Sequence, residues 1–350
     1  MVCFFLTLKF CKMHFNKIIQ SACFITLVLF AIRATGMVFS GRRNEKAADT
    51  AVIKTSKKDT VIEDKSNVTL FVPGEITPKA PMNASPTFTP DNLLLFFTQS
   101  QGGNNITIMV SQRTGSTWSE PKIASFSGRF RDLEPVFSPD GKYLIFASNR
   151  PEKPDDSLLT GHYNGQVLPG SGGNLWRVNF SEKGSPVVTH LPDAINANSS
   201  VFSPSVAANG SLYFMRADSG AKFHIYRSAF KSGVYETPVK ASFSLDRFGD
   251  YDPAVAPDES FLIFSSARPP APKTADLFIV FRTPDGWSEP VDLRTVLGDN
   301  VHGVEARLAP DLTKLYYSNS QRASGETASA EQYIWMANIT ALLKAHEITK

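Results

Sequence analysis

Short apolar runs alternate with turn-forming residues along this chain from residue 68 onward. The pattern is clearest at residues 134–151, EPVFSPDGKYLIFASNRP, where residues 136–138 and 143–147 are rich in β-branched and aromatic side chains. Between them, residues 139–141 (PDG) supply a fixed φ, a side chain that bonds nearby backbone and a residue free to adopt positive φ. This stretch predicts two strands joined by a tight turn.

The same hairpin occurs five times in the chain. In each copy a proline or alanine is followed five residues later by a turn Asp or Asn: Pro86/Asp91, Pro135/Asp140, Pro204/Asn209, Pro253/Asp258 and Ala306/Asp311. Each turn leads into a second strand that is apolar on both faces, at residues 93–97, 143–147, 212–215, 261–265 and 315–318. Third strands start near Ile106, Leu175, His224, Leu277 and Tyr333, and fourth strands are clearest at residues 115–123, 233–240 and 285–293.

Four strands in a unit of about 50 residues is the spacing of a β-propeller blade. We therefore predict an all-β propeller at residues 68–343 with five blades, six being the alternative. The fifth unit has no fourth strand of its own after Ile339, whereas residues 68–76 (VTLFVPGEI) precede the first unit as an extra strand. Pairing that N-terminal strand with the last unit would close the ring and remove a free sheet edge.

The repeats carry a resemblance to a known family. The segments SPDGKYLIFASNRP, APDESFLIFSSARP and TPDNLLLFFTQS resemble the PD40, or WD40-like, repeats of exported TolB-like β-propeller proteins. The resemblance covers essentially the whole predicted domain. It implies the propeller fold and leaves the function open, because this repeat serves docking proteins, sensor-like envelope proteins and the propeller caps of peptidases.

The N-terminal residues are typical of an export signal. Basic residues precede the apolar run at residues 22–32, and small residues follow it at 34–36. We predict a signal peptide at residues 1–36, with Met13 as a possible start, and a polar linker at 37–67. The C-terminal tail is predicted at 344–350. All three cysteines, Cys3, Cys11 and Cys23, lie in the predicted signal, so the exported protein would have no thiol.

Composition narrows the classes of function. With 42% hydrophobic and 20% charged residues, the 350-residue chain is suited to a packed core. Its net charge of +3 includes the basic signal, which leaves no basic stripe for nucleic acid. We expect a monomer in the periplasm, the outer envelope or the exterior of a bacterium, in contact with a membrane only through an uncleaved signal.

Two segments of one pattern, RFRDLEP at residues 129–135 and RFGDYDP at 247–253, provide the candidate site. Alignment matches Arg129 with Arg247, Asp132 with Asp250, and Glu134 with Asp252. Glu305 takes the place of Glu134 in the fifth unit, and Ser85 and Ser203 take it in the first and third. In a propeller, the loops into the first strands and the loops after the second strands emerge on one face of the ring, which we call the funnel face. The loops after the second strands bring more polar residues to this face: Asn149, Arg150, Arg216, Arg268 and Asn319.

Carboxylates, guanidinium groups and amides around a funnel suit a glycan, a peptide terminus or a divalent cation such as calcium. The structural alternative is that the acids cap backbone N–H groups and pair with the arginines between blades. No other cofactor is expected. The glycine-rich insertion at residues 151–174 lies on this face as a lid, as a docking loop or as a tolerated surface insertion.

The sequence contains no HExxH motif and no Ser-His-Asp order, and of the six histidines His162 and His302 fall on this face. We therefore expect a non-catalytic protein that binds a partner protein, a peptide or a cell-envelope glycan through the funnel face. The alternative is a glycan-active hydrolase or lyase that uses the funnel carboxylates.

Overall fold

The structure is a computed structural model that describes residues 68–71, 82–100, 102, 105–180, 186–218, 222–270, 275–321 and 331–348. The predicted signal peptide and linker lie outside these residues. The predicted all-β class is confirmed, since the described chain consists of strands with two short helices.

The described chain begins with β1 (Val68–Leu70), and five repeated units follow it. The first unit comprises β2 (Met82–Phe88), β3 (Leu94–Ser100), β4 (Ile106–Thr114), β5 (Thr117–Trp118) and β6 (Lys122–Ile123). The second comprises β7 (Asp132–Phe137), β8 (Tyr143–Ser148), the hairpin β9 (Gly161–Tyr163) and β10 (Gln166–Leu168), β11 (Asn174–Asn179) and β12 (Val187–His190). The third comprises β13 (Val201–Val206), β14 (Leu212–Ala217), β15 (Phe223–Ser228), the hairpin β16 (Phe230–Lys231) and β17 (Val234–Tyr235), and β18 (Val239–Lys240).

The last two units each include a helix. The fourth comprises β19 (Asp250–Val255), β20 (Phe261–Ser266), β21 (Asp276–Thr283), β22 (Gly286–Trp287), β23 (Val291–Asp292) and α1 (Leu293–Leu297). The fifth comprises β24 (Val304–Leu308), β25 (Lys314–Gln321), β26 (Glu331–Asn338) and α2 (Thr340–Ile348). Helix α2 runs past residue 343, where the sequence pattern placed the end of the domain, and Leu342 and Leu343 pack on the core.

In each of the first four units, four strands pair antiparallel in chain order, with the short β5, β22 and hairpin strands as side branches. In the fifth unit the outer strand is β1, which pairs antiparallel with β26 and aligns Val68 with Ala337. The sequence predicted this pairing between the N-terminal strand and the last unit. Within the described residues, no helix is long and apolar enough to cross a membrane.

The predicted turns form as expected. In all five units the Asp or Asn side chain accepts a hydrogen bond from the backbone N–H two residues later, at 2.9 to 3.2 Å. This bond stabilises the tight turn locally, so the turn residues account for the fold and need no further role.

The apolar second strands are buried between neighbouring units. Five clusters of buried side chains form the core, and each one joins adjacent units. For example, Phe146 of the second unit packs with Phe96 of the first, while Phe97 of the first unit shares a cluster with Tyr316 of the fifth. The first and last units are therefore in contact through their side chains as well as through the strands.

Every first strand contains an irregularity at the same place. Pairing with the second strand shifts register in all five units. The residue before the repeat proline or alanine has positive φ, between 46° and 60°, at Ser85, Glu134, Ser203, Asp252 and Glu305. A β-bulge of this kind redirects the side chain and tolerates the proline that follows. The bulge thereby positions the candidate carboxylates.

Candidate functional site

The candidate residues separate into three groups, of which the first is exposed. Arg129 and Arg247 lie in the loops that lead into the first strands of the second and fourth units. Each guanidinium lies over the ring of the next residue, 5.1 Å from the centre of Phe130 and 4.8 Å from the centre of Phe248. Both arginines are accessible to a ligand from solvent.

The second group consists of two buried ion pairs. We call the pair in the second unit the first clasp. Asp132 is fully buried and accepts hydrogen bonds from Arg150 at 2.7 Å, Ser148 at 2.6 Å and Ser127 at 2.9 Å. Arg150 also donates to the carbonyl of Phe126 at 3.2 Å. Burial raises the pKa of the Asp132 carboxyl, against the opposing effect of the Arg150 charge. The clasp ties the entry loop of the first strand to the end of the second.

A second clasp repeats this arrangement in the fourth unit. Asp250 accepts hydrogen bonds from Arg268 at 2.8 Å, Ser266 at 2.6 Å and Ser244 at 2.8 Å. Arg268 donates to the carbonyl of Phe243 at 3.2 Å. The predicted correspondence of Asp132 with Asp250 therefore extends to every hydrogen-bond partner. Each pair forms inside one unit, whereas the structural alternative drawn from the sequence placed such pairs between blades.

Asn149 is also buried and connects the first clasp to the insertion. Its side-chain oxygen accepts a hydrogen bond from the N–H of Arg131 at 2.9 Å, and its amide nitrogen donates to the carbonyl of Gly170 at 2.8 Å. Both ends of this amide are used by backbone groups, so its observed role is to hold the insertion in place.

The third group consists of Glu134, Asp252 and Glu305, which we call the inner carboxylates. All three are buried, with 2 to 6% of their surface exposed. Ser203 connects the first two, because its N–H donates to Glu134 at 2.7 Å and its hydroxyl donates to Asp252 at 2.7 Å. The N–H of Glu305 donates to Asp252 at 3.2 Å. The structure thus brings together the three carboxylates that the repeat alignment predicted to share one place.

Further hydroxyl groups hold the inner carboxylates. Ser265 donates to Asp252 at 3.2 Å, and Ser318 donates to Glu305 at 2.8 Å. Burial, together with the charge of Asp252, raises the pKa of Glu134 to about 7 and that of Glu305 to about 8. These two carboxyl groups therefore change charge near neutral pH.

The repeat alignment did not single out Arg307, which lies beside the inner carboxylates. Its side chain is 4% exposed, and its Nη1 donates to the carbonyl of Ala306 at 2.7 Å. Among the described residues, its Nε and Nη2 have no hydrogen-bond partner. The positive charge of Arg307 partly offsets the rise in the pKa of Glu134 and of Glu305. Its position next to the repeat alanine of the fifth unit, Ala306, is a signal by which it could have been found.

The distances between possible ligand atoms show whether the predicted calcium site is formed. Among the described residues, two groups of three side chains have donor atoms within 4.8 Å of one another: Glu152, His190 and Asp193, and Asp218, His224 and Asp246. The inner carboxylates do not form such a group, and their oxygens accept hydrogen bonds from serine hydroxyls and backbone N–H groups. A calcium ion needs six to eight oxygen ligands at 2.3–2.6 Å, so the inner carboxylates do not provide a cation site in this arrangement.

An open groove lies on the same face, where first strands begin and second strands end. It has a volume of about 350 Å³ and is lined by His162, Gly165, Gln166, Val167, Asn198, Ser199, Ala217 and Asp218. The hairpin β9–β10 of the insertion forms one wall. The hydroxyl of Ser200 accepts a hydrogen bond from the N–H of His162 at 2.8 Å, which fixes the hairpin against the third unit. The sequence predicted His162 on this face, but the repeat alignment identified none of the lining residues, because loop residues outside the repeat have no counterpart in other units.

His302, the second histidine predicted on this face, is exposed and contacts Asn319 at 3.1 Å. It does not belong to the groove.

Comparison with known proteins matches no family profile and no curated protein. Among solved structures, TolB from Acinetobacter baumannii matches with 17% identity and a TM-score of 0.39, over 59% of this chain and 43% of TolB. A thermostable family-43 glycoside hydrolase matches with 12% identity and a TM-score of 0.49, over 74% of this chain and 90% of the hydrolase. An α-L-arabinofuranosidase from Lactobacillus brevis matches with 13% identity and a TM-score of 0.45, over 74% and 92%.

These likenesses concern the fold. TolB proteins are among the matched structures, as the resemblance of the repeats implies. The chain spans less than half the length of the Acinetobacter TolB. Identities of 12 to 17% with TM-scores below 0.5 give no information on activity, and the functional argument rests on this chain's own residues.

Proposed function

We propose that this protein is an exported, non-catalytic β-propeller that binds a peptide, a partner protein or a cell-envelope glycan through the face where its first strands begin. The observation that carries the proposal is the groove between the insertion hairpin and the third unit. Its wall combines an imidazole, two side-chain amides, a hydroxyl and a carboxylate around Val167, which is 65% exposed. Mixed polar groups around an apolar contact suit a glycan or an extended peptide.

The proposed architecture is a closed ring of five blades. Its support is the pairing of β1 with β26 and the apolar cluster shared by the first and fifth units. First strands of successive units also contact each other, and the first strand of the fifth unit contacts that of the first. A closed ring gives the groove a rigid base, since each blade is held on both sides.

The candidate residues have graded roles in this proposal. Arg129 and Arg247 are accessible and would contact an acidic group of the ligand. The two clasps and Asn149 shape the face by holding the loops that surround it. The inner carboxylates lie beneath the face, where their hydrogen bonds connect the blades.

A matched pair of substitutions tests the binding face. Val167 and Val234 are exposed to 65% and 63%, and each follows a hairpin turn of the insertion or the third unit. Val167→Asp should weaken binding to a panel of glycans and peptides, measured by calorimetry, roughly tenfold or more, since a buried charge at a contact is unfavourable. Val234→Asp, outside the groove, should leave binding unchanged. Equal binding by both variants and the wild type would remove the groove from the proposal.

The predicted export and the predicted monomeric state are tested by separate measurements. We expect mature chains recovered from an envelope fraction to begin close to residue 37, as N-terminal sequencing would show, and to elute as a monomer in size-exclusion chromatography. A chain that retains residues 1–36 in the membrane fraction would instead support an uncleaved anchor.

A second candidate, a glycan-active hydrolase or lyase, is favoured by one observation. Glu134 and Glu305 have pKa values raised to about 7 and about 8, as expected of a general acid, close to Asp252. Under this hypothesis Glu134→Gln and Glu305→Gln would reduce turnover of a glycan panel by orders of magnitude, while Arg129→Ala would not. Turnover that persists in both Gln variants would contradict it.

A further inference from the structure

A buried histidine faces two carboxylates beside the groove. His224 lies on β15 and is 1% exposed. Its Nε2 is 3.4 Å from a carboxylate oxygen of Asp218, at the end of β14, and 3.8 Å from one of Asp246. The three donor atoms lie within 4.8 Å of one another. Asp218 is also a wall residue of the groove.

The other ring nitrogen of His224 determines what Nε2 can do. Nδ1 is 3.4 Å from the hydroxyl oxygen of Ser244. That hydroxyl has one proton, which it donates to Asp250 at 2.8 Å, and Asp250 is ion-paired with Arg268. Ser244 is therefore available as an acceptor for His224, and in the tautomer that uses it Nδ1 carries the hydrogen and the neutral ring presents the Nε2 lone pair to two carboxylates.

A lone pair that faces two carboxylates requires a cation between them. Either a second proton on the ring or a metal ion satisfies this requirement. Ligands at about 2.0–2.1 Å around a tetrahedral ion are separated by roughly 3.3 Å. The observed separations of 3.4 and 3.8 Å are close to that value. Fixing Nδ1–H through an outer hydrogen bond is also the usual way in which a metal-binding histidine is oriented.

We propose that Asp218, His224 and Asp246 form a site for a divalent first-row metal ion, with Zn²⁺ as the preferred ion and water completing its coordination. One imidazole nitrogen with two carboxylates suits zinc and disfavours calcium, which prefers oxygen ligands. The inference is independent of the proposed binding function, because the metal alone is the probe.

Two lysines oppose a metal at this site. The Lys240 ammonium hydrogen-bonds the same Asp246 oxygen that faces His224, and each partner favours the charged form of the other: the pKa of Lys240 is raised and that of Asp246 is lowered. Lys222 donates to the backbone carbonyl of Asp246 at 3.2 Å. A metal ion must displace the Lys240 ammonium from Asp246, which makes Lys240 a sensitive test position.

The other compact group is less suited to a metal ion. In that group, Nε2 of His190 already contacts the side-chain amides of Asn174 at 3.2 Å and Asn196 at 3.0 Å. Glu152 and Asp193 are both exposed. This group supplies a matched control for exposed carboxylates next to a histidine.

The test is zinc titration of the full chain by calorimetry, with the cysteines alkylated; all three lie in residues 1–36. Asp246 has 82% of its side chain exposed, so Asp246→Asn should fold normally. It should weaken zinc binding roughly tenfold or more, as loss of even an indirect metal partner changes affinity by about 10–100-fold. Lys240→Met should strengthen binding by about fivefold, because a like charge near the metal is removed. Asp193→Asn should have no effect.

One zinc per chain with this order of affinities, and an anomalous zinc signal at His224, would support the site. Zinc binding that is equal in wild type, Asp246→Asn and Lys240→Met would overturn it. No zinc uptake even by Lys240→Met would also overturn it. Tighter binding of Ca²⁺ than of Zn²⁺ would overturn the metal class.

Discussion

Asp132 and Glu134 lie two residues apart on β7, but their side chains have different partners. Asp132 forms a buried ion pair with Arg150, whereas Glu134 accepts a backbone N–H from Ser203 and has a pKa near 7. On a regular strand, side chains two residues apart point the same way. The positive φ of Glu134, 56°, and the register shift between Leu133 and Val136 break that rule.

The same contrast recurs between Asp250 and Asp252 in the fourth unit. A carboxylate that precedes the bulge is neutralised inside its own unit, and one at the bulge is turned toward the other units. The bulge thus decides whether a carboxylate stabilises one unit or connects several.

The largest effect should come from breaking a clasp. Arg150→Ala leaves Asp132 buried without its counter-ion, which should lower the free energy of unfolding by about 3–5 kcal/mol. Arg268→Ala should act alike through Asp250. The exposed Arg129→Ala should change stability by less than about 0.5 kcal/mol. Urea denaturation measures all three, and a similar cost for Arg150 and Arg129 would show that the clasp adds no stability.

A smaller effect distinguishes two serines at the bulge position. Ser203 and Ser85 are both fully buried with positive φ. Ser203 donates to Asp252, whereas the hydroxyl of Ser85 has no hydrogen-bond partner in the part of the chain that the structure describes. Ser203→Ala leaves a buried acceptor without its donor and should cost about 1–3 kcal/mol. Ser85→Ala should be neutral or slightly stabilising in the same thermal unfolding experiment. A reversed order would contradict the coupling through Ser203.

The smallest expected effect, taken per pH unit, is a dependence of folding stability on pH. Because the pKa of Glu134 is about 7 and that of Glu305 about 8 in the folded chain, against 4.5 when unfolded, the folded state binds more protons between these values. The contribution of these two protonated carboxyl groups to folding stability is fully present below about pH 4.5 and is lost as the pH rises to about 8. The slope is at most about 1.4 kcal/mol per pH unit for each carboxyl. Glu305→Gln should flatten this part of the stability profile, and an unchanged profile would show that Glu305 is already ionised.

Sequence patterns predicted the strands well because their causes are local. The turn Asp, the apolar second strand and the repeat proline act over a few residues, and repetition in five units makes each one easy to recognise. Alignment also predicted that Glu134, Asp252 and Glu305 share a place, since the same position of each repeated unit is expected at the same place in that unit's sheet.

The contacts of these residues could not be predicted from sequence. Whether Arg150 meets Asp132 depends on the register of β7 with β8, which aligns Asp132 with Ser148. The groove depends on how the insertion hairpin rests on Ser200, and the His224 cluster depends on three separate segments. Such contacts arise from tertiary packing, for which the repeat has no marker.

The pairing of Val68 with Ala337 has a consequence for how the chain folds. Strand β1 has no partner in its sheet until β26, the last described strand, has been made. Contacts between such distant residues slow folding, although the entropy of closing a longer loop grows only gradually. Until β1 arrives, β26 presents an unpaired edge that can recruit another chain. Docking of β1 on β26 is therefore also a step that protects the chain from aggregation through this edge.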